Sequence, residues 1–233
     1  AMERYLQDHP VRTAGDYARL QDWQAQQRRE QPLVADASVD LVISNCVLNL
    51  VDAEARQQLV REIHRVLKPG GRVAISDIVS DEQVPVHLKR DGELWSGCIS
   101  GAFQEEEFLR VFADAGFLAV RYDKWDAAPW RVVEGIEFRS VTLTAVKGAG
   151  TPCLDYGHAV MYRGPHAEVR EDEDHVFPRG ARIAVCERTY RLLTDGPYGS
   201  DFIGIAPVTR NTPAEFCAPA GTRRPAAETK GGQ

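Results

Sequence analysis

A chain of 233 residues with a formal charge of −6 and 43% hydrophobic residues has room for one large domain, or for one domain with an appendage. The acidic balance and the lack of a basic stripe argue against nucleic acid as a partner, and no apolar run approaches a membrane span or opens the chain as a signal peptide. The five cysteines, Cys46, Cys98, Cys153, Cys186 and Cys217, form no C-x-x-C, which argues against a zinc ribbon or a secreted disulfide framework and implies free thiols in a cytoplasmic protein.

Residues 1–36 read as an N-terminal helical segment. Asp16 to Glu30 predicts a helix with a thin apolar face of Tyr17, Leu20 and Trp23. The stretch that follows organises the chain. Val39 to Ser44 is an apolar run of strand length. Asp52 is placed to cap a helix in which Leu59, Ile63, Val66 and Leu67 make one buried stripe. Pro69-Gly70-Gly71 ends that helix, and Arg72 to Ile78 is a second apolar run. Two such strands joined by a helix predict a parallel pair, covered on both faces, with a right-handed crossover.

Val79 to Pro85 reads as a loop and Val86 to Trp95 as a helix. Glu105 to Ala115 is amphipathic, with Phe108, Leu109 and Phe112 inward and Gly116 as its stop. Phe117 to Trp125 and Ile136 to Lys147 read as strands, with a break at Pro129-Trp130. Residues 37–148 thus form an α/β core. Beyond Gly148, turn residues separate short apolar runs at His158–Arg163, Ala181–Cys186 and Phe202–Ala206. Residues 149–217 are expected to form a small α+β extension, and 218–233 a disordered tail. The acidic run Glu171 to Asp174 reads as a solvated turn, since it lacks the spaced ligands of a calcium loop.

Open α/β sheets bind ligands beyond the carboxyl ends of their strands. At the first strand those residues are Ser44, Asn45, Cys46 and Val47. They are the candidate cofactor-binding residues.

Several stretches together resemble one family. VDLVISNCVLNL, EIHRVLKPGGRVAISDI, LWSGCISGA and the later PWRVVEGIEFRSVTLTAVKG and PCLDYGHAVMYRGP are similar to the arsenite methyltransferases. The resemblance covers roughly residues 37–233. It implies a class I methyltransferase (Rossmann-like) sheet, present in part, and S-adenosylmethionine as methyl donor. It also implies trivalent arsenic, free or as a thiol adduct, as substrate. By resemblance, Cys98 in GC-x-x-GA and Cys153 in PCLDYG are the arsenic-binding, catalytic thiols. Thiolates suit a soft ion, and the arsenic lone pair carries no proton, so no general base is needed.

The family's glycine-rich cofactor turn has no match before Val39, where Gly15 is the one glycine. Cofactor binding and autonomous activity are therefore not expected of this stretch alone. Val39–Ser44 is then a sheet edge, a place for a homodimer or a partner chain to pair. Three readings follow: arsenite methyl transfer, a non-catalytic module binding trivalent arsenic or another soft ion, and a truncated paralogue that serves as a dimerisation or regulatory partner.

Overall fold

The computed structural model describes residues 2–30, 32–150, 152–208, 212–215 and 221–229. Two helices open the chain, α1 (Met2–Asp8) and α2 (Ala14–Glu30). Thr13 and Asp16 exchange hydrogen bonds at the start of α2, a reciprocal cap that satisfies its first free N–H groups. Tyr5 stacks on Trp23 with centroids 4.2 Å apart, which ties α1 to α2. Tyr17, expected on the buried face, is 54% exposed.

The core is one mixed sheet. Its members are β1 (Val39–Asn45), β2 (Leu67–Ser80), the two-residue β3 (Phe103–Gln104), β4 (Phe117–Trp125), β5 (Arg131–Val133) and β6 (Ile136–Lys147), in the order β1-β2-β6-β4. As the sequence predicts, β1 runs parallel to β2. Helix α3 (Ala53–Val66) makes the crossover. The return strands are antiparallel, with β6 between β2 and β4.

The junction of α3 and β2 differs from expectation. The chain enters the sheet at Leu67, directly after the helix, rather than at Arg72. Val39 pairs with Leu67 and Leu41 with Arg72, so the Pro69-Gly70-Gly71 segment is accommodated as an irregularity in the ladder. Gly70 has φ 79°, a left-handed turn that a side chain would strain. Lys147, at the end of β6, donates through Nζ to the carbonyls of His64 (2.7 Å) and Leu67 (2.8 Å). It thereby satisfies acceptors that the helix end leaves free.

Helix α6 (Glu105–Asp114) covers the same face as α3. The Gln104 side chain caps it, accepting from Glu106 and Glu107 N–H, and its acidic first turn suits the helix dipole. Phe108 and Phe112 are fully buried against Val73, Ile75, Val141 and Leu143. Burial of each ring contributes about 1.5–3 kcal/mol, so this face carries much of the core. The opposite face near β1 is bare. Leu41 is 47% and Ile43 70% exposed, where the sequence predicts cover on both faces. The run of apolar residues reports strand formation but not which neighbours arrive to bury it.

Between β2 and α6 lie α4 (Val86–Lys89) and α5 (Gly92–Ser96), two short helices in place of one. The split falls at Asp91, whose side chain caps α5 through the N–H groups of Glu93 and Leu94. Beyond residue 150 come β7 (Leu154–Asp155), β8 (Ala159–Tyr162), β9 (Glu168–Arg170), β10 (Val176–Pro178), β11 (Arg182–Ala184), α7 (Glu187–Thr194), β12 (Phe202–Ile205) and β13 (Ala214–Glu215). Strands β11, β8 and β12 form an antiparallel sheet over its own core of Val160, Phe177, Ile183, Leu193 and Phe202. Arg224, in the segment read as a tail, is buried, and its Nη2 donates to both carboxylate oxygens of Asp155, each at 2.8 Å.

Candidate functional site

The site is built at the carboxyl end of β1. Cys46 still donates its N–H to Ser76 (2.8 Å), then the chain turns out of the sheet with Cys46 at φ 52°. A short 3-10 turn, Leu48–Leu50, follows and buries Leu48 and Asn49. Asp77 on β2 holds this turn. Its Oδ2 accepts the N–H of Leu48 at 3.0 Å and of Asn49 at 3.4 Å, and its Oδ1 accepts the N–H of Ile78. Asp77 is 1% exposed.

Asn49 then joins the turn to the GC-x-x-GA loop. Its Nδ2 donates to the carbonyls of Ile78 (2.7 Å) and Cys98 (3.1 Å). Arg56 of α3 donates through Nε to Val51 O (2.8 Å), and its guanidinium lies 4.6 Å above the Phe103 ring. Gly101 packs so closely that a Cβ there would sit 1.8 Å from the Asn49 carbonyl oxygen. The second glycine of the motif is therefore a packing requirement, and it fixes how near the loop comes to β1.

The consequence is a thiol pair. Cys98 follows α5 with φ 61°, and its Sγ lies 3.8 Å from the Cys46 carbonyl, donating to it. Cys46 and Cys98 therefore meet through this sulfur–carbonyl contact. Both cysteines adopt left-handed backbone, a conformation that costs roughly 1–2 kcal/mol for a residue with a Cβ. Asp77, Asn49 and the close Gly101 contact hold the two turns in place against that cost. Burial raises both thiol pKa values, and the negative charge of Asp77 raises them further. Neutral thiols are thus favoured. Condensation of two of them with a trivalent oxyacid releases water and leaves the proton count unchanged.

The sequence reading pairs Cys98 with Cys153. In the structure the partners of the two sulfurs differ: Cys98 Sγ donates to the Cys46 carbonyl and Cys153 Sγ accepts from Arg188. The Arg188 contact, from Nη2 at 3.4 Å, comes from α7, whose N-cap is Cys186. Among the described residues, Cys46, Cys98 and Cys153 do not form a trio with sulfurs mutually within 4.8 Å. Cys217 lies outside the described residues. Cys46, read as a cofactor-side residue, is the residue whose carbonyl the Cys98 sulfur meets. Two further positions escaped the reading. Arg56 carried no motif signal, and Asn49 stood in plain view inside SNCVLNL.

For S-adenosylmethionine the geometry is one-sided. Ser44 is half-buried, whereas Asn45, Cys46 and Val47 are exposed. β1 is the outermost strand, and among the described residues none pairs with its free edge. These residues make one wall and do not by themselves fit the cofactor.

A methyltransferase-domain family model matches residues 19–116, and a model for a domain of unknown function matches residues 149–233. An arsenite methyltransferase from Aquipseudomonas alcaligenes is 32% identical over 191 residues, covering 76% of this chain and 54% of that protein. The arsenite methyltransferase of Homo sapiens is 28% identical over 189 residues, covering 77% of this chain and 50% of that protein. The chain spans about half the length of these curated relatives. An arsenic(III) S-adenosylmethionine methyltransferase from Chlamydomonas reinhardtii has a similar crystal structure. It matches with a TM-score of 0.52 and 25% identity, over 82% of this chain and 67% of that one. No described helix is long and apolar enough to cross a membrane. The mixed sheet is a Rossmann-like methyltransferase fold, and by sequence and structure together the chain is homologous to the arsenite methyltransferases over about three quarters of its length.

Proposed function

We propose that this chain supplies the arsenic-holding side of an arsenite methyl-transfer site, with Cys46 and Cys98 as the thiol ligands. The observation that carries the reading is the contact of the Cys98 sulfur with the backbone carbonyl of Cys46 at the tip of β1. Trivalent arsenic is soft and prefers sulfur, and two thiolates leave its lone pair free to attack a methyl group. Fixing the arsenic replaces a bimolecular encounter by a positioned one. In this reading Cys98 keeps the role that the family resemblance gives it, and Cys46 replaces Cys153 as its partner.

The methyl donor of the reaction is S-adenosylmethionine. Because the residues at the strand tip form one wall, the complete donor site needs a second polypeptide segment along the free edge of β1. Another copy of the chain, or a separate chain, is the proposed source. The same one-walled geometry favours a second reading, in which the chain binds trivalent arsenic without transferring methyl groups. Titration calorimetry separates the two readings. Arsenite heat that disappears in Cys98→Ser and in Cys46→Ser supports the thiol pair. Added S-adenosylmethionine heat supports methyl transfer, and its absence from the isolated chain supports the binding module. Arsenite heat that survives both substitutions removes the pair from consideration.

A further inference from the structure

A cleft of about 770 Å³ lies between the core sheet and the C-terminal unit. It sits toward the amino ends of β1 and β2, the opposite end from Cys46. Its floor is the sheet face that α3 and α6 leave uncovered, with Leu41 of β1, Ala74 of β2, Leu118 of β4 and Val146 of β6. Its far wall is α7 and the turn that follows, with Leu192 and Pro197. Two hydrogen bonds hold the walls together. Arg121 Nη1 donates to Pro197 O at 3.3 Å, and the Ala119 N–H donates to Asp172 Oδ2 at 2.5 Å. Small-molecule sites favour such boundaries between units, with mostly apolar linings and a few polar groups.

The polar groups of this cleft that lack a partner are cationic. Arg72 is exposed, and among the described residues its guanidinium has no hydrogen-bond or ion-pair partner. Arg188 Nε is buried and has no partner, while its Nη2 is engaged by Glu173 and Cys153. A buried N–H donor without an acceptor is uncommon. The carboxylates of the lining are engaged. Asp123 pairs with Arg121 at 2.9 Å, and Asp195 accepts the Thr194 hydroxyl at 3.1 Å. What the cleft lacks is therefore an acceptor, and its free charge is positive.

We propose that this cleft binds a small organic anion with an apolar body. The acidic group is received by the vacant arginine donors, and the body lies on Leu41, Leu118 and Leu192. A guanidinium fork matches the oxygens of a carboxylate or sulfonate, and a charged hydrogen bond of this kind is among the stronger ones. Asp123 and Asp195 stand in the same walls and repel a second negative charge, so a monoanion fits and a polyphosphate does not. No thiol lines the cleft, so the site is independent of the proposed role of Cys46 and Cys98.

The test titrates the full chain with two fluorescent probes. Anilinonaphthalene sulfonate joins an aromatic body to one anionic group. Phenylnaphthylamine is the same body without the anion. One sulfonate probe per chain is expected, bound at least about tenfold more tightly than the neutral one. Arg72→Gln replaces an exposed side chain, so the fold is retained. It is expected to weaken the sulfonate probe roughly tenfold and to leave the neutral probe unchanged. Arg188→Lys keeps the charge but moves the donor, and it weakens the sulfonate probe as well. Ile43→Ser, on the bare strand outside the cleft, leaves both probes bound. Equal affinity for the two probes, or sulfonate binding unchanged in both arginine variants, overturns the proposal. Loss of the sulfonate probe in Ile43→Ser also overturns it, because the fluorescence then reports adsorption on exposed β1.

Discussion

Asp77 Oδ2 accepts the backbone N–H of Leu48 at 3.0 Å, so a buried carboxylate of β2 holds the turn that carries Cys46. Burial raises the pKa of Asp77, against the pull of its backbone hydrogen bonds and of Arg56. In turn its charge works on both thiols in the direction that burial already takes them. Asp77→Asn removes that charge. The pH midpoints for alkylation of Cys46 and Cys98 by iodoacetamide are expected to move down. An amide also offers an NH2 where one of the turn's N–H donors now points, so a loss of about 1–3 kcal/mol of stability accompanies the change. Unchanged alkylation midpoints in a folded variant contradict this account of the thiols.

Gly101→Ala tests the packing that brings the two turns together. The new Cβ meets the Asn49 carbonyl oxygen at 1.8 Å, and a backbone atom cannot rotate away as a side chain would. Overpacking of this kind costs typically 1–3 kcal/mol. The displacement falls on the loop of Cys98, so arsenite affinity is expected to fall together with the urea midpoint. Wild-type values for both measurements show that the contact does not set the geometry.

Much of this arrangement is legible in the chain itself. β4 and β6 have the bounds the pattern gives, because their alternating and β-branched residues are read against a sheet that is present. The parallel β1–β2 pair follows from strand, helix and strand in series. Its exposed edge follows from the lack of a preceding strand pattern. The hairpin partner β5 escapes, since its turn residues Glu134 and Gly135 both adopt positive φ without the usual Asn-Gly signature. α7 escapes because its cap is a cysteine, which no capping preference flags. The surroundings of the thiols escape for a deeper reason. What each sulfur meets depends on loops crossing 52 residues for Cys98, and on a helix 35 residues further along the chain for Cys153. Spacing along the chain carries neither relation.

The acidic run that reads as a solvated turn contains an ordered pair. Burial raises Glu171, but the hydrogen bonds from the His175 ring and from the N–H groups of Glu173 and His175 outweigh it and hold its carboxyl below the usual value. The Glu171 hydrogen bond raises His175, with burial opposing. The histidine's contribution to stability is full below its unfolded value of 6.5 and is lost as pH rises through the raised folded value. The carboxylate's contribution is present above 4.5 and is lost as pH falls through its lowered folded value. Thermal melts of wild type and His175→Gln between pH 5 and 9 are expected to differ most near pH 5–6 and to converge at the alkaline end. A difference that grows with pH reverses the sign and rules out the pair as its source.

The free edge of β1 gives the last prediction. Leu41 and Ile43 project from an outer strand, and Ile43 is 70% exposed. A free, apolar strand edge is a template for another chain, and a lysine is the residue that natural edges use to prevent pairing. Ile43→Lys replaces a side chain that the fold leaves in solvent, so its cost to stability is expected to stay within about 0.5 kcal/mol. Sedimentation velocity of the wild type at high micromolar concentration is expected to show association, and the lysine variant to sediment as a monomer. The thiol pair lies at the end of the same strand, so arsenite binding by the variant should persist while any methyl transfer that depends on the second wall is lost. A wild type that remains monomeric over the same range leaves β1 without a partner and leaves arsenic binding as the chain's own activity.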